Sequence, residues 1–157
     1  MAAQPLIDLA SLDLNHVVAD REAIYRQLPQ GGVFQQLDAV VFWDPERRIG
    51  VARREVRLDE FWVPVHIPGR PLMPGVLMIE AAAQLTCYCS MQLQPLDRFM
   101  GFGGVNDVKF RGTVTPPATM YFLVYLAELR SRRTIGQVQA VANGQLVFEG
   151  TISGMVV

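Results

Sequence analysis

A chain of 157 residues, half of them hydrophobic, is long enough to bury one core and too short for two comfortable ones. Its formal net charge is −1, and its thirteen Arg and one Lys are scattered among fifteen acids, which gives no electrostatic case for nucleic acid and leaves only local patches at Arg53 with Arg54 and at Arg130 with Arg132 and Arg133. The opening MAAQPLIDLASLDL lacks the basic start and apolar run of a signal peptide, and no stretch offers eighteen consecutive apolar residues. A soluble cytoplasmic protein with no membrane span is therefore expected.

In chain order, residues 20–28 (DREAIYRQL) read as a short helix opened by Asp20 and closed before Pro29, after a poorly patterned N-terminal stretch. DAVVFWD (38–44) and RIGVARREVRL (48–58) are β-rich runs joined by Asp44-Pro45-Glu46-Arg47, and together predict a hairpin. A helix is predicted from about Pro74, a residue tolerated in a first turn, to about Leu93. At 1.5 Å per residue it spans roughly 30 Å, enough to cross a small sheet. After Gln94-Pro95 the chain is strand-like at 99–110, 119–129, 134–142 and 145–157, with Asn143-Gly144 a strong type I′ turn signal. This order, a hairpin, one long helix and a run of antiparallel strands, predicts an α+β fold with a sheet wrapped around one central helix. Cys87 and Cys89 lie two apart on the predicted helix and point to different sides, so both are expected as buried thiols in a reducing compartment.

The segment VHIPGRPLMPGVLMIEAAAQL (65–85) concentrates the chemistry. Between His66 and Glu80 three prolines fix backbone angles in the loop that carries the histidine, and two glycines let other groups approach the chain closely. A side chain held on such a loop keeps little freedom, which suits a general base. Glu80 follows fourteen residues later with Leu77, Met78, Ile79, Ala81, Ala82 and Ala83 around it, a costly place for a carboxylate without a partner. Gln84, one turn on, is positioned to hold that carboxyl. Gly75 presents a backbone N–H at the positive end of the helix dipole, where a developing oxyanion would be stabilised. Each residue also has a plainer reading: a structural histidine, a tight turn into a helix, a solvated polar stripe.

HIPGRPLMPGVLMIEAAAQ (66–84) closely resembles the HFPGxPxxPGVLxxEAxAQ signature of the 3-hydroxyacyl-[acyl-carrier-protein] dehydratases of the FabZ type. FGGVNDVKFRGTV (102–114) is similar to the segment that follows the central helix in that family, and the resemblance covers roughly residues 58 to 157. It implies the hot-dog fold for a single domain, 1–157, with an N-terminal extension of about residues 1–30. It also implies dehydration of a (3R)-3-hydroxyacyl thioester, carried by acyl carrier protein or coenzyme A, to the trans-2-enoyl thioester. His66 would take the C2 proton, the Gly75 N–H would stabilise the thioester carbonyl, Glu80 would protonate the leaving hydroxyl and Gln84 would support Glu80. No metal or organic cofactor is implied. The family pairs the histidine of one subunit with the acid of another, so a homodimer is expected, with a trimer of dimers as its larger form.

An acyl tunnel beside the helix would draw on Met73, Met78, Met100 and Phe102, since methionine adapts to chains of different length. Arg70, Lys109 and Arg111 are candidates for docking an acidic carrier protein. The family's N-terminal LPHRFPFLLVDR element is replaced here by LPQGGVFQQLDAV (28–40), Val65 stands where glycine is usual, Ile67 replaces phenylalanine and Pro116-Pro117-Ala118 replaces a Pro-Gly-Asp turn. The resemblance thus implies the reaction while leaving acyl length, carrier and housekeeping or specialised role open. Two other classes remain as alternatives: a hot-dog acyl thioesterase, and a non-catalytic acyl-binding subunit.

Overall fold

The computed structural model describes residues 3–95 and 97–157. Asp20 caps the first helix, its carboxylate accepting from the Ala23 N–H, and β1 (Ala19–Asp20) runs directly into α1 (Arg21–Gln27). The hairpin follows as β2 (Ala39–Asp44) and β3 (Ile49–Val56), the Asp44 carboxylate accepting from Glu46 N and Arg47 N to tighten the turn. The long helix α2 (Gly75–Leu93) precedes β4 (Met100–Phe110), β5 (Ala118–Arg130), β6 (Arg133–Ala142) and β7 (Gln145–Val156). Asn143 and Gly144 both take positive φ, 52° and 72°, and join β6 to β7 in a two-residue turn with Ala142 opposite Gln145. The seven strands form one antiparallel sheet in the order β1-β2-β3-β5-β6-β7-β4.

One face of this sheet packs on α2. The helix buries Met78, Ala81, Ala82, Leu85, Tyr88 and Cys89 against Phe122, Leu126, Phe148 and Ile152 from the strands. Contact is close enough that a Cβ on Gly136 would fall 2.8 Å from Thr86 and 2.9 Å from Val124. Thr86 and Ser90 remain buried without cost because their hydroxyls donate to the Ala82 and Thr86 carbonyls one turn back.

The opposite face is covered by the N-terminal stretch, which sequence patterning leaves undefined. Leu6, Ile7, Leu9, Leu12 and Leu14 pack on Val41, Val51, Leu123 and Val141. Gln139 pins the stretch from the sheet, accepting from Leu6 N at 2.6 Å and donating to the Gln4 carbonyl at 2.9 Å. Cover on both faces explains why β3 begins with four consecutive buried residues instead of alternating.

Arg54 on β3 anchors the segment that leads to the His66 loop. It is buried, donates twice to Gln36 Oε1 and forks onto the Glu60 carboxylate, which also accepts from Arg57 N and Trp62 Nε1. Arg54→Met leaves Glu60 and Gln36 without their main partner in a poorly solvated place. The expected cost is about 3–5 kcal/mol, read as a lowered urea midpoint at unchanged m.

Candidate active site

The loop that begins at Glu60 is wound by short-range hydrogen bonds: Val63 N donates to Glu60 O, and both Val65 N and His66 N donate to Trp62 O. Trp62 is buried in the main core and ties this winding to the sheet. His66 itself is exposed, and its Nδ1 lies 2.6 Å from the Leu72 carbonyl. A carbonyl can only accept, so in the neutral ring the proton sits on Nδ1 and Nε2 keeps its lone pair. The loop thereby presents an oriented base. Gly69, at φ 80°, makes the reversal that lets Leu72 come back beneath the ring.

Met73 N donates to Val114 O and seats the chain entering α2 against the segment after β4. Gly75 is the first residue of α2, so its N–H has no acceptor within the helix. A Cβ at this position would fall 2.7–2.8 Å from the Phe110 ring. Glycine is needed here to let β4 pack against the helix start, which also keeps the N–H uncovered by a side chain of its own.

Glu80 lies half-buried one and a half turns further along, where Gln84 Nε2 donates to its Oε1 at 2.9 Å. Gln84 is only 2% exposed and fully engaged: Nε2 also donates to Phe34 O, while Oε1 accepts from the Tyr25 hydroxyl and from Gln36 N. Beside Glu80 opens a pocket of about 150 Å³. Its walls are largely apolar and include Cys87, Phe99, Met100, Phe102 and Ile152, with Gln30, Gln84, Thr86 and Ser153 as polar points beside Glu80. Burial pushes the Cys87 thiol up to about 11, so it is a protonated wall and not a nucleophile at neutral pH. Cys89 is fully buried and shifted in the same direction for the same reason.

Of the four residues expected along an acyl tunnel, Met100 and Phe102 line this pocket, whereas Met73 and Met78 are buried in the main core. Of the three docking candidates, Arg70 and Lys109 are exposed and Arg111 is held by a two-point ion pair to Glu149 at 2.9 and 3.1 Å. His66 is not among the residues lining the Glu80 pocket. Sequence reasoning missed Tyr25, Phe34 and Gln36, the residues that bring the segment before β2 onto Gln84. Only the polarity of Gln36 just before a β-rich run could have hinted at them.

Residues 28–151 match the model of the FabA-like domain. The chain belongs to the FabA-like family. Within it, the chain is 34% identical over 131 residues to the 3-hydroxyacyl-[acyl-carrier-protein] dehydratase FabZ of Herpetosiphon aurantiacus, covering 82% of this chain and 92% of that protein. It is 35% identical over 133 residues to the FabZ of Enterococcus faecalis, with the same two coverages, 82% and 92%. Among solved structures, the dehydratase heterocomplex ApeI:P from Xenorhabdus doucetiae aligns with a TM-score of 0.72 at 16% identity, over 85% of this chain and 90% of that one. At that identity the likeness speaks for the fold, and it agrees with the hot-dog arrangement of this FabA-like chain: an antiparallel sheet around α2.

Proposed function

We propose that this protein dehydrates (3R)-3-hydroxyacyl thioesters on acyl carrier protein to trans-2-enoyl thioesters, a step of fatty-acid synthesis. The observation that carries the reading is the oriented His66 base, the Gly75 N–H left without an acceptor in its helix and the Gln84-held Glu80 on one loop and helix of a FabA-like chain related to FabZ dehydratases. His66 Nε2 removes the C2 proton. The Gly75 N–H stabilises charge on the thioester oxygen, and Glu80 gives a proton to the C3 hydroxyl, which leaves as water as the C2–C3 double bond forms. The proton taken by His66 is returned through solvent to reset Glu80.

In our reading the working unit is a homodimer in which the His66 loop of one chain completes the Glu80 pocket of the other. β4 is an edge strand, and Phe99, Phe102, Phe110 and Met155 are exposed along or beside it. Val65, Ile67 and Val76 are exposed around His66 and the start of α2. An unpaired edge with this much apolar surface is a liability for a monomer and supports a second copy as its cover. Arg70 and Lys109, exposed near the same loop and strand, support docking of an acidic carrier. We read the chain as one hot-dog domain with an N-terminal extension, and as cytoplasmic. Free Cys87 and Cys89 suit a reducing compartment, and among the described residues no helix is long and apolar enough to cross a membrane.

Incubation with a 3-hydroxyacyl thioester of acyl carrier protein tests the reaction. Enoyl thioester absorbance should appear without release of free thiol. Thiol release without enoyl product would overturn the proposal in favour of thioester hydrolysis.

A further inference from the structure

We propose that Tyr25, on the short helix α1, is a positioning residue for the dehydration: its hydroxyl, together with Gln36 N and Phe34 O, holds the Gln84 amide in one orientation, and so decides which oxygen of Glu80 carries the proton. The inference rests on the reading of Glu80 as the acid.

The Gln84 amide has two ends that could exchange by a simple rotation, and the structure shows why they do not. Oε1 faces two donors, the Tyr25 hydroxyl at 2.6 Å and Gln36 N at 3.1 Å. Nε2 faces two acceptors, Phe34 O at 2.7 Å and Glu80 Oε1 at 2.9 Å. Rotating the amide would set Nε2 against the Gln36 N–H and Oε1 against the Phe34 carbonyl, opposing donor to donor and acceptor to acceptor. Phe34 O is a fixed acceptor and Gln36 N a fixed donor. Of the two groups facing Oε1, Tyr25 is the one whose role could vary, because a hydroxyl can donate or accept.

That freedom is removed by Leu37 N, which donates to the Tyr25 oxygen at 2.8 Å. With one direction taken by an incoming N–H, the single phenolic proton points to Gln84. Burial raises the Tyr25 phenol to about 12, so the donor is kept throughout the pH range in which the enzyme would work. The result at Glu80 is specific. Its Oε1 always receives an N–H from Gln84, which leaves Oε2 as the oxygen that holds and delivers the acidic proton. The residues that set this orientation come from α1 and the segment before β2, where the sequence departs furthest from its family's pattern. Tyr25 touches no reacting atom, and its effect on the reaction passes through Gln84.

Steady-state rates on a 3-hydroxyacyl thioester of acyl carrier protein, expressed per folded protein, test this with Tyr25→Phe, Gln84→Leu, the double variant and Gln84→Glu. Tyr25→Phe should lower kcat roughly tenfold at a KM within about twofold of wild type, the loss falling on chemistry and not on binding. The double variant should be no slower than Gln84→Leu alone, because Tyr25 acts only through that amide. Gln84→Glu still accepts from Tyr25 and Gln36 but has no N–H for Glu80, and should lose as much kcat as Gln84→Leu. Wild-type kcat in Tyr25→Phe or in Gln84→Glu overturns the proposal, as do losses that multiply in the double variant, the pattern a general packing defect would produce. An active wild type with any of these outcomes removes Tyr25 alone, whereas a wild type that forms no enoyl product removes the assigned reaction as well.

Discussion

His66→Ala should lower kcat for dehydration by roughly 10²–10⁴-fold, the usual contribution of a positioned general base. The side chain is exposed and makes one hydrogen bond, to the Leu72 carbonyl, so little of the fold depends on it. The winding of the loop is carried by backbone donors to Glu60 and Trp62 instead, and these are untouched by the substitution. The melting temperature should therefore stay close to that of wild type while turnover collapses. KM should move far less than kcat, because the imidazole contributes to the transition state for C2 proton removal more than to ground-state binding. A variant that still forms enoyl product at near the wild-type rate would show that another group removes the proton. His66→Asn sharpens the result: an amide can keep a hydrogen bond to Leu72 O yet cannot take the proton, so it should be nearly as slow as alanine.

Much of this site is legible in the amino-acid sequence, for a physical reason. The loop and helix from His66 to Gln84 are contiguous, so the placement of each candidate side chain depends on local backbone geometry, and prolines, glycines and helical spacing encode that geometry directly. The same holds for the β6–β7 turn, where Asn143 and Gly144 adopt the positive φ values that their residue types favour. The illegible part is long-range. Tyr25 and Gln36 meet Gln84 across 59 and 48 positions in sequence, and no periodicity in either segment specifies that meeting. The N-terminal stretch is opaque for a related reason. Its Leu6, Ile7, Leu9, Leu12 and Leu14 follow no sustained helical or strand period, because apart from one 3-10 turn at Leu9–Ser11 they lie as irregular chain across a sheet whose own residues set the spacing of contacts. Met73 and Met78 illustrate a third limit: adaptable apolar residues beside a central helix look alike whether they fill the core, as these do, or line a pocket, as Met100 does.

Mixing two inactive variants, His66→Ala and Glu80→Gln, should restore activity. In a homodimer with shared sites, each pairs the His66 of one chain with the Glu80 of the other. A mixed dimer then gathers both substitutions in one site and leaves the second site wholly intact. After unfolding and refolding an equal mixture, half of the dimers are mixed and each has one working site of two, so activity should recover to about one quarter of wild type. Glu80→Gln suits the experiment because its amide keeps the shape of the carboxyl while losing the acidic proton, and the Gln84 Nε2 donor still finds an oxygen opposite it. The geometry of a single chain motivates the arrangement. The His66 loop is exposed and ringed by Val65, Ile67 and Val76, while the Glu80 pocket opens beside Phe99, Phe102 and the free edge of β4. If each chain carried a complete site of its own, the refolded mixture would remain as slow as its parents, and the proposal of a shared site would be overturned.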